Sequence, residues 1–264
     1  MERRFPHGVP CWVDVETPDH AASRDFYARL FGWTFEDLAP GYAMARLDGV
    51  DAAAVGTGDA GWSTYVAVDD ADATAAAVET AGGRVTDAPA DVGPSGRAAS
   101  CTDPIGTPFR LWQARGRLGA QVANIPGAWN FSDLHADDAP LGFYAEVFGW
   151  KGVPIPGVGT MIQVPGYGEH LRTTVDPGIL ERQANAPEGF EDVIGGAGGA
   201  DPDGVPRFAV TFTVSDRDEA AATAERLGAS VEDRGDTDWT RTATIIDPQG
   251  ARLTLSQFTP PDGF

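Results

Sequence analysis

Cysteine is scarce in this sequence, and so is positive charge. Cys11 and Cys101 are the two cysteines among 264 residues, too few for the disulfide framework that stabilises small secreted proteins. We expect both thiols to stay reduced, as in the cytoplasm. Lysine and arginine total 19 against 39 acidic residues, so the formal net charge is −20. Such a surface repels nucleic acid and anionic membranes, and we expect neither as a partner.

Long apolar segments are missing as well. No stretch approaches the roughly 20 apolar residues that a membrane-spanning helix needs. Arg3 and Arg4 are not followed by the apolar run of a signal peptide. These absences predict a cytoplasmic protein. Hydrophobic residues still make up 42% of the chain, which is enough to build ordinary cores, and the length suits two domains.

What the sequence has instead is an internal repeat. Residues 97–113 and 241–257 both begin with arginine and both contain the turn motif Asp-Pro-x-Gly at the same place. Residues 26–33 and 143–150 both read Phe-Tyr followed by Phe-Gly-Trp. A duplication of this kind predicts two copies of one architecture. It also makes each half a control for the other, because a residue found in one copy alone is not needed by the shared fold.

Within each half the pattern of strand, helix and further strands occurs twice. Asp19 and Asp70 are typical of the residue that precedes a helix, and Gly32 and Gly82 are typical of the residue that ends one. Alternating apolar residues around these segments predict short strands. The chain is therefore predicted to be an α+β protein of four βαβββ units.

The repeat sets the predicted domain limits. We expect an N-terminal domain over residues 1–122 and a C-terminal domain over residues 123–264, the latter with an inserted loop at about residues 164–206. The insertion ends in the glycine-rich run of residues 195–199, which predicts a flexible segment. Long loops in compact domains are often functional, so a role in covering a ligand is one expectation for this loop.

These motifs resemble those of the vicinal oxygen chelate superfamily, which includes glyoxalase I, extradiol dioxygenases and bleomycin-resistance proteins. The first-half residues that carry the resemblance, each echoed in the second half, are Asp19, Phe26-Tyr27, Phe31-Gly32-Trp33, Val68-Asp69-Asp70, Gly82-Gly83, Asp103-Pro104-Ile105-Gly106 and Leu111. The resemblance implies two tandem glyoxalase-like domains whose mixed sheets curl into cups. Residues 164–171, 189–192 and 239–241 further resemble a two-domain actinobacterial-type subgroup.

The same resemblance bears on metal binding. Enzymes of this superfamily commonly hold a divalent ion through His, Gln or Glu on strands that face the cup. Here the places that correspond to those ligands hold Trp12, Ser63, Arg110, Phe131, Ala209 and Thr254. None of these side chains is a carboxylate, imidazole or thiolate donor. We therefore predict no metal site and no cofactor.

Alternation along the strands selects the candidate ligand-binding residues. Trp12, Asp14 and Glu16 share one face of the first strand, and an ion pair between Asp14 and Arg110 is one expectation. The predicted ligand-binding side chains are Trp12, Asp14, Glu16, Arg110, Trp112, Phe131, Tyr167 and Trp239.

Three residues are candidates for catalysis. Asp133 and His135 share a face with Phe131, and a histidine beside a carboxylate is suited to acid–base chemistry near neutral pH. His170 lies in the insertion, where it would act as part of a lid.

Three functions follow from this reasoning. The first is metal-free binding of a small apolar or aromatic molecule, such as a natural product or antibiotic, in a cup-shaped cavity, as in resistance by sequestration. The second is a metal-independent acid–base enzyme, namely a cyclase, isomerase or dehydratase, acting on a similar molecule. The third is a glyoxalase-like metal-dependent lyase. A small-molecule ligand is the expected partner, and the chain is expected to be a monomer or a homodimer.

Overall fold

The computed structural model describes residues 2–155 and 159–260. Its first half contains one mixed sheet with the strand order β2-β3-β4-β1-β5-β8-β7-β6. The elements of this half are β1 (Pro10–Thr17), α1 (His20–Phe31), β2 (Thr34–Ala39), β3 (Tyr42–Leu47), β4 (Val50–Thr57), β5 (Gly61–Ala67), α2 (Ala71–Thr80), β6 (Arg84–Val92), β7 (Gly96–Thr102) and β8 (Pro108–Ala114).

The second half repeats this architecture, with the strand order β10-β11-β12-β9-β13-β16-β15-β14. Its elements are β9 (Trp129–His135), α3 (Leu141–Phe148), β10 (Lys151–Ile155), β11 (Gly159–Gln163), α4 (Tyr167–Thr174), α5 (Ile179–Arg182), β12 (Val193–Gly198), β13 (Arg207–Thr213), α6 (Arg217–Arg226), β14 (Ser230–Asp236), β15 (Thr240–Ile246) and β16 (Arg252–Phe258). The predicted fold is confirmed: four βαβββ units build two tandem glyoxalase-like domains, each with a curled mixed sheet.

Asp19 and Asp70 cap helices as predicted, and Asp216 does the same in a third unit. Asp19, Asp70 and Asp216 each accept a hydrogen bond from the backbone N–H three residues later, at 2.9 to 3.0 Å. This satisfies one of the orphan donors of a helix N-terminus. Helix α3 differs, because it begins after Pro140 without a side-chain cap. A proline in the first turn loses no helical hydrogen bond, so it replaces the aspartate at small cost.

The predicted insertion is more regular than its sequence indicates. It contains α4, α5, a short 3₁₀ turn and the strand β12. The glycine-rich run, which predicts a flexible segment, belongs largely to β12, and that prediction is wrong. Strand β12 pairs antiparallel with β11 and parallel with β9, so it takes the place that β4 has in the first sheet. Hydrogen bonds to both neighbouring strands fix the backbone of β12, although its glycine-rich composition alone would make that backbone flexible.

Steric crowding explains why β12 contains glycines at residues 195 and 196. A Cβ atom on Gly195 would come 3.0 Å from the carbonyl oxygen of Ser132, and one on Gly196 would come 3.2 Å from the carboxylate of Asp133. Both distances are shorter than ordinary van der Waals contacts. The strand therefore lies close to β9 because it lacks side chains there, which is a common reason for glycine inside a strand.

The chain packs as two compact units that draw on both halves of the sequence. Unit 1 comprises Met1–Trp12, Thr64–Gly119 and Ser132–Phe208, and unit 2 comprises Val13–Ser63, Ala120–Phe131 and Ala209–Phe264. Each unit thus contains one βαβββ motif from each half. The predicted limits of residues 1–122 and 123–264 follow the two sheets rather than these units, and they stay a prediction.

Both units contain the same buried pairing of the two repeated motifs. In unit 1 the Tyr144 hydroxyl donates to Asp103 at 3.0 Å, and in unit 2 the Tyr27 hydroxyl donates to Asp247 at 2.7 Å. In each unit a tyrosine from the Phe-Tyr motif of one half meets the aspartate of the Asp-Pro-x-Gly turn of the other. Burial and the negative aspartate raise the pKa of both tyrosine hydroxyls well above their ordinary value.

The aspartate of each turn also closes the turn itself. One oxygen of Asp103 accepts the backbone N–H groups of Ile105 and Thr107 at 3.0 and 2.8 Å. Asp247 makes the same two contacts with Gln249 and Ala251, at 2.9 and 2.8 Å. Each carboxylate is therefore buried with three donors, which is the condition under which a buried charge is tolerated.

The aromatic residues of the Phe-Gly-Trp motifs lie in the cores. In unit 1 the Trp150 ring stacks on Tyr144 at 4.7 Å, and its indole N–H donates to the Gly8 carbonyl at 2.6 Å. In unit 2 the Trp33 ring stacks at 5.5 Å on the tyrosine of its own motif and donates to the Gly127 carbonyl at 2.8 Å. The glycine of each motif ends its helix with a left-handed backbone, at φ 76° in α1 and 72° in α3. Glycine adopts this conformation without strain.

Cys11 and Cys101 are both buried as free thiols. Burial raises the pKa of Cys101 to about 12, with a smaller contribution from Glu79. Burial likewise raises the pKa of Cys11. Thiols held protonated in this way are poor nucleophiles and poor metal ligands, so both act as small core side chains.

None of the helices in the described part of the chain has the length and apolar composition that a bilayer crossing demands.

Candidate functional site

Arg110 is the centre of a polar and aromatic group in the first sheet. It lies on β8 opposite Tyr65 of β5, because the two residues are Cα partners in this parallel pair. Its guanidinium donates a hydrogen bond of 2.6 Å to the Tyr65 hydroxyl and lies 5.3 Å from the centre of the Tyr65 ring. Trp112 meets the same ring edge-on at 6.3 Å. We call Tyr65, Arg110 and Trp112 the Arg110 cluster.

Hydrogen bonds and ring contacts fix the orientation of this cluster. The Trp112 indole N–H donates to the carbonyl of Arg117 at 2.9 Å. Tyr65 is buried, whereas Arg110 and Trp112 are half-buried. A cation over a tyrosine face is attracted by the ring quadrupole, and this attraction adds to the hydrogen bond. The guanidinium of Arg110 and the indole of Trp112 are therefore fixed in orientation.

The remaining predicted residues of the first sheet lie on β1. Asp14 is almost fully buried, at 1% exposure, and accepts a hydrogen bond of 3.3 Å from the Tyr42 hydroxyl. Trp12 is buried as well. Glu16 is half-buried, and its carboxylate lies against the backbone at Gly58, where a Cβ atom would come within 3.0 Å of it. The expected ion pair of Asp14 with Arg110 stays a prediction.

Asp133 is half-buried on β9. Its carboxylate accepts the backbone N–H of Gly196 at 2.5 Å. Burial raises the pKa of Asp133 above its ordinary value, although the hydrogen bond from Gly196 and the nearby His135 both oppose that shift. Burial disfavours the charged form of a carboxyl group. A carboxyl group with a raised pKa can take up and release a proton closer to neutral pH than an exposed one.

His135 lies two residues further along the same strand face. Asp201 contacts its ring, and Arg207 in turn contacts Asp201. The Nδ1 atom of His135 is 2.8 Å from one carboxylate oxygen of Asp201. The other oxygen of Asp201 accepts from the guanidinium of Arg207 at 2.5 Å. Arg207 also donates to Asp203 at 2.6 Å. We call Asp133, His135, Asp201 and Arg207 the His135 network; all four lie in unit 1.

The structure places Tyr167 and His170 against the N-terminal segment. His170 Nε2 is 2.9 Å from the Arg4 carbonyl oxygen, and its ring stacks on Tyr167 at 6.2 Å. The Tyr167 side chain is buried and accepts from Arg3 at 3.3 Å. Among the described residues, no hydrogen bond joins His170 to Asp133 or His135. Helix α4, which carries both residues, is therefore seen to pack on the N-terminal segment, and a role as a lid stays a prediction.

Phe131 and Trp239 are the two other predicted aromatic residues. Phe131 is half-buried on β9, and its carbonyl accepts the indole N–H of Trp129 at 3.0 Å. Trp239 lies between β14 and β15, where it stacks on Phe258 at 6.4 Å. Both belong to unit 2.

Sequence reasoning missed Tyr65, Asp201 and Arg207. Tyr65 lies opposite Arg110 because β5 pairs in parallel with β8, and no residue pattern in the sequence indicates that register. Asp201 and Arg207 flank the short segment that follows the glycine-rich run. That run predicts flexibility, so the two charged residues after it gave no signal of a fixed site.

A shallow groove of about 490 Å³ lies elsewhere, between α2 and β6. It is lined by small apolar side chains, Thr86 and the two carboxylates of Asp72 and Glu79. No predicted site residue lines it. Its open shape and its acidic rim offer little apolar surface to a ligand.

Comparison with known proteins now identifies the family. The profile of the Glyoxalase/Bleomycin resistance protein/Dioxygenase superfamily matches residues 12–111, and the profile of a Glyoxalase-like domain matches residues 129–256. A Streptomyces sp. (strain C5) protein, the anthracycline biosynthesis protein DauV, is 35% identical over 96% of this chain and 94% of its own length. The chain belongs to the glyoxalase/bleomycin resistance/dioxygenase superfamily.

Two further relatives span nearly the whole chain. The anthracycline biosynthesis protein DnrV of Streptomyces peucetius is 34% identical over 96% of this chain and 94% of its own length. CFP32 of Mycobacterium tuberculosis (strain CDC 1551 / Oshkosh), whose name describes it provisionally as a glyoxylase, is 34% identical over 94% of each chain. These relatives thus carry names of two different kinds.

Solved structures of the superfamily share the fold at low sequence identity. The Mn(II)-bound glyoxalase from Novosphingobium aromaticivorans superposes with a TM-score of 0.62 at 17% identity, over 99% of this chain and 86% of that one. The dioxygenase LapB from Pseudomonas sp. KL28 gives 0.61 at 14% identity, over 98% and 96%. At this identity the likeness concerns the fold alone.

The superfamily implies a divalent metal, and the residues of this chain do not fit one. The corresponding places on β8 and β16 hold Arg110 and Thr254, and Arg110 turns its positive charge onto Tyr65. Across residues 2–155 and 159–260, no three His, Cys, Asp or Glu side chains converge as a metal site would require. Within the His135 network, both oxygens of Asp201 are already paired. A guanidinium cannot act as a ligand and repels a cation.

Proposed function

We propose that this protein binds a small, planar, largely aromatic natural product without a metal ion, and that the Arg110 cluster contacts the ligand. The observation that carries the proposal is the replacement of a metal donor by Arg110, held on the ring of Tyr65. A guanidinium plane and an indole can both stack on an aromatic ligand, and the guanidinium also donates to carbonyl and phenolic oxygens.

The relatives support this class of ligand. Two of them are named for anthracycline biosynthesis and match this chain over almost its full length. An anthracycline is a fused-ring aromatic molecule whose edge carries carbonyl and hydroxyl oxygens. A stacked cation and an indole suit such a molecule, because its faces are apolar and its edge accepts hydrogen bonds.

Titration with alizarin, a planar dihydroxyanthraquinone, tests the proposal. We expect saturable quenching of tryptophan fluorescence and a higher Tm, because a ligand that binds the folded state shifts unfolding. Arg110→Gln should weaken binding about tenfold, the value of roughly one charged hydrogen bond.

Arg97→Gln is the matched control. Arg97 lies on the neighbouring strand β7 and pairs with Asp72 and Asp91 on the surface. This variant should bind alizarin like the unaltered protein. An unaltered protein that shows no saturable binding, or an Arg110→Gln variant that binds equally well, would contradict the proposal.

A metal-independent acid–base enzyme is a second candidate, and the His135 network favours it. Asp133 has a raised pKa, and His135 lies beside it on the same strand face with its own carboxylate partner. Such a pair can remove a proton at one atom of a substrate and return it at another, as in an isomerisation or a cyclisation. In an enzyme of this kind, Asp133→Asn and His135→Phe should abolish product formation, followed by mass spectrometry, and change affinity only a few-fold. In a binding protein no product forms with any variant.

Elemental analysis separates both candidates from the metal-dependent lyase. Protein purified without chelators should contain no stoichiometric zinc, iron, nickel or manganese. A stoichiometric ion in the unaltered protein would favour the lyase.

A further inference from the structure

The strongest unassigned feature is the chain of charges behind His135. His135, Asp201 and Arg207 form a row in which each side chain bonds the next. Their side chains are 31%, 13% and 20% exposed, in that order, so the histidine is the accessible end of the row. Of the two ends of the row, His135 has the larger exposed fraction.

The contact at Nδ1 sets the tautomer of the imidazole. A carboxylate only accepts hydrogen bonds, so the Asp201 oxygen at 2.8 Å requires a proton on Nδ1. In neutral imidazole, a proton on Nδ1 leaves Nε2 as a bare acceptor. Arg207 donates to the other oxygen of Asp201 at 2.5 Å, so this carboxylate is held between the guanidinium and the imidazole.

The second ring nitrogen of His135, Nε2, differs from Nδ1 in its hydrogen bonding. Within the part of the chain that the structure describes, the ring makes its hydrogen bond through Nδ1, and Nε2 makes none. Asp133, the nearest other titratable group on the strand face, is engaged with the Gly196 backbone. The His135 side chain is 31% exposed, so we expect a hydroxyl donor of a ligand to reach Nε2.

We propose that Asp201 and Arg207 are positioning residues that hold His135 with its proton on Nδ1, so that Nε2 accepts a hydrogen bond from a phenol or enol hydroxyl of the ligand. The proposal rests on the second candidate function and names the group on which its base acts. It does not depend on ligand binding at the Arg110 cluster. Asp201 has the role of a partner that orients a base, which is common behind acid–base histidines.

Nitrogen NMR of the full chain labelled at its four histidines tests the positioning role. The signals of His135 are identified by their loss in His135→Phe. In the unaltered protein we expect Nδ1 to carry the proton and Nε2 to be bare. Asp201→Asn should convert these signals to a mixture of the two tautomers, and Arg207→Gln should do so in part.

A matched control separates this effect from general disturbance. Arg172 forms an exposed ion pair with Glu169 on α4, so Arg172→Gln removes a similar pair elsewhere and should leave the His135 signals unchanged. If the unaltered protein carries its proton on Nε2, or if neither Asp201→Asn nor Arg207→Gln changes the tautomer, the positioning role is wrong. Arg207→Gln keeps the test decisive if Asp201→Asn does not fold.

Phenol and its methyl ether anisole test the ligand class. Phenol should shift the Nε2 signal of His135 in a saturable way, whereas anisole, which has no hydroxyl proton, should not. Equal shifts, or no shift with phenol, would disprove the hydroxyl assignment. Because these signals are read at His135, a failure here is distinct from a failure of alizarin to bind at Arg110. Absence of any product would remove the second candidate while leaving the tautomer result intact.

Discussion

Strands β1 and β9 occupy the same place in the two sheets, yet the surroundings of their aspartates differ. Asp14 on β1 is 1% exposed and accepts from the phenol of Tyr42. Asp133 on β9 is half-buried, accepts from a glycine backbone and lies beside His135. One backbone position thus holds a buried carboxyl group in one half and a half-buried carboxyl group with a raised pKa in the other.

The buried tyrosine–aspartate pairs show the opposite behaviour. Tyr144 with Asp103 and Tyr27 with Asp247 are nearly identical in their partners and in the turns that they close. The residues that both halves share are therefore the ones that pack the units. The residues that differ between the halves are the ones that face a ligand in our proposals.

The largest expected effect tests whether the shared pairs are equivalent. Asp103→Ala and Asp247→Ala each remove three hydrogen bonds to a buried charge and leave a buried hydroxyl without its acceptor. We expect each to lower the free energy of unfolding by about 4 kcal/mol, measured by urea denaturation. Asp59→Ala, at an exposed aspartate, is the control and should change little. Losses that differ by more than about 2 kcal/mol between the two units would break the equivalence.

The tyrosine side of each pair gives a smaller effect. Tyr27→Phe and Tyr144→Phe keep the stacked rings but remove one hydrogen bond to a buried carboxylate. Each should cost about 2 kcal/mol of unfolding free energy, because the remaining backbone donors still satisfy the aspartate. A cost near zero in both would show that the repeated tyrosine serves packing alone.

The repeat made most of the fold predictable from the sequence. Asp19, Asp70 and Asp216 cap the helices expected after them, and the Phe-Gly-Trp residues lie in the cores. These features depend on neighbours in sequence, or on an apolar character that any core would accept. Strand β12 was not predictable, because its glycines are required by the close approach of β9 and not by local preference.

The candidate site was predictable only in part. Alternation along β9 placed Asp133 and His135 on one face, and the position of Arg110 followed from the resemblance. The partners Tyr65, Asp201 and Arg207 come from other strands and loops. No local pattern encodes a contact that exists only after the strands pair, so those residues required the structure.

The third prediction concerns Gly196, whose missing side chain leaves room for the Asp133 carboxylate. Gly196→Ala would place a Cβ atom 3.2 Å from the Asp133 carboxylate, whereas Gly198→Ala meets nothing within 4 Å. Gly196→Ala should lower the free energy of unfolding by about 1 kcal/mol, because the carboxylate must move away from its backbone donor. Gly198→Ala is the matched control on the same strand. Equal stability of the two variants by urea denaturation would show that Asp133 has room to move.

The smallest expected effect is the one that changes with pH. Burial raises the pKa of Asp133 above its ordinary value of 3.8, so the folded state retains the proton to a higher pH than the unfolded state does. Below pH 3.8 both states are protonated and the group costs nothing. As the pH rises through the interval up to the raised pKa, the unfolded chain binds fewer protons than the folded one, so stability falls.

Asp133→Asn keeps an acceptor for Gly196 without the charge. Its Tm should therefore exceed that of the unaltered protein at neutral pH, and the difference should shrink towards pH 3, while Asp138→Asn, at an exposed aspartate, should show neither trend. A difference that instead grows on acidification would mean that the Asp133 carboxylate is stabilised in the folded state, and it would contradict the raised pKa.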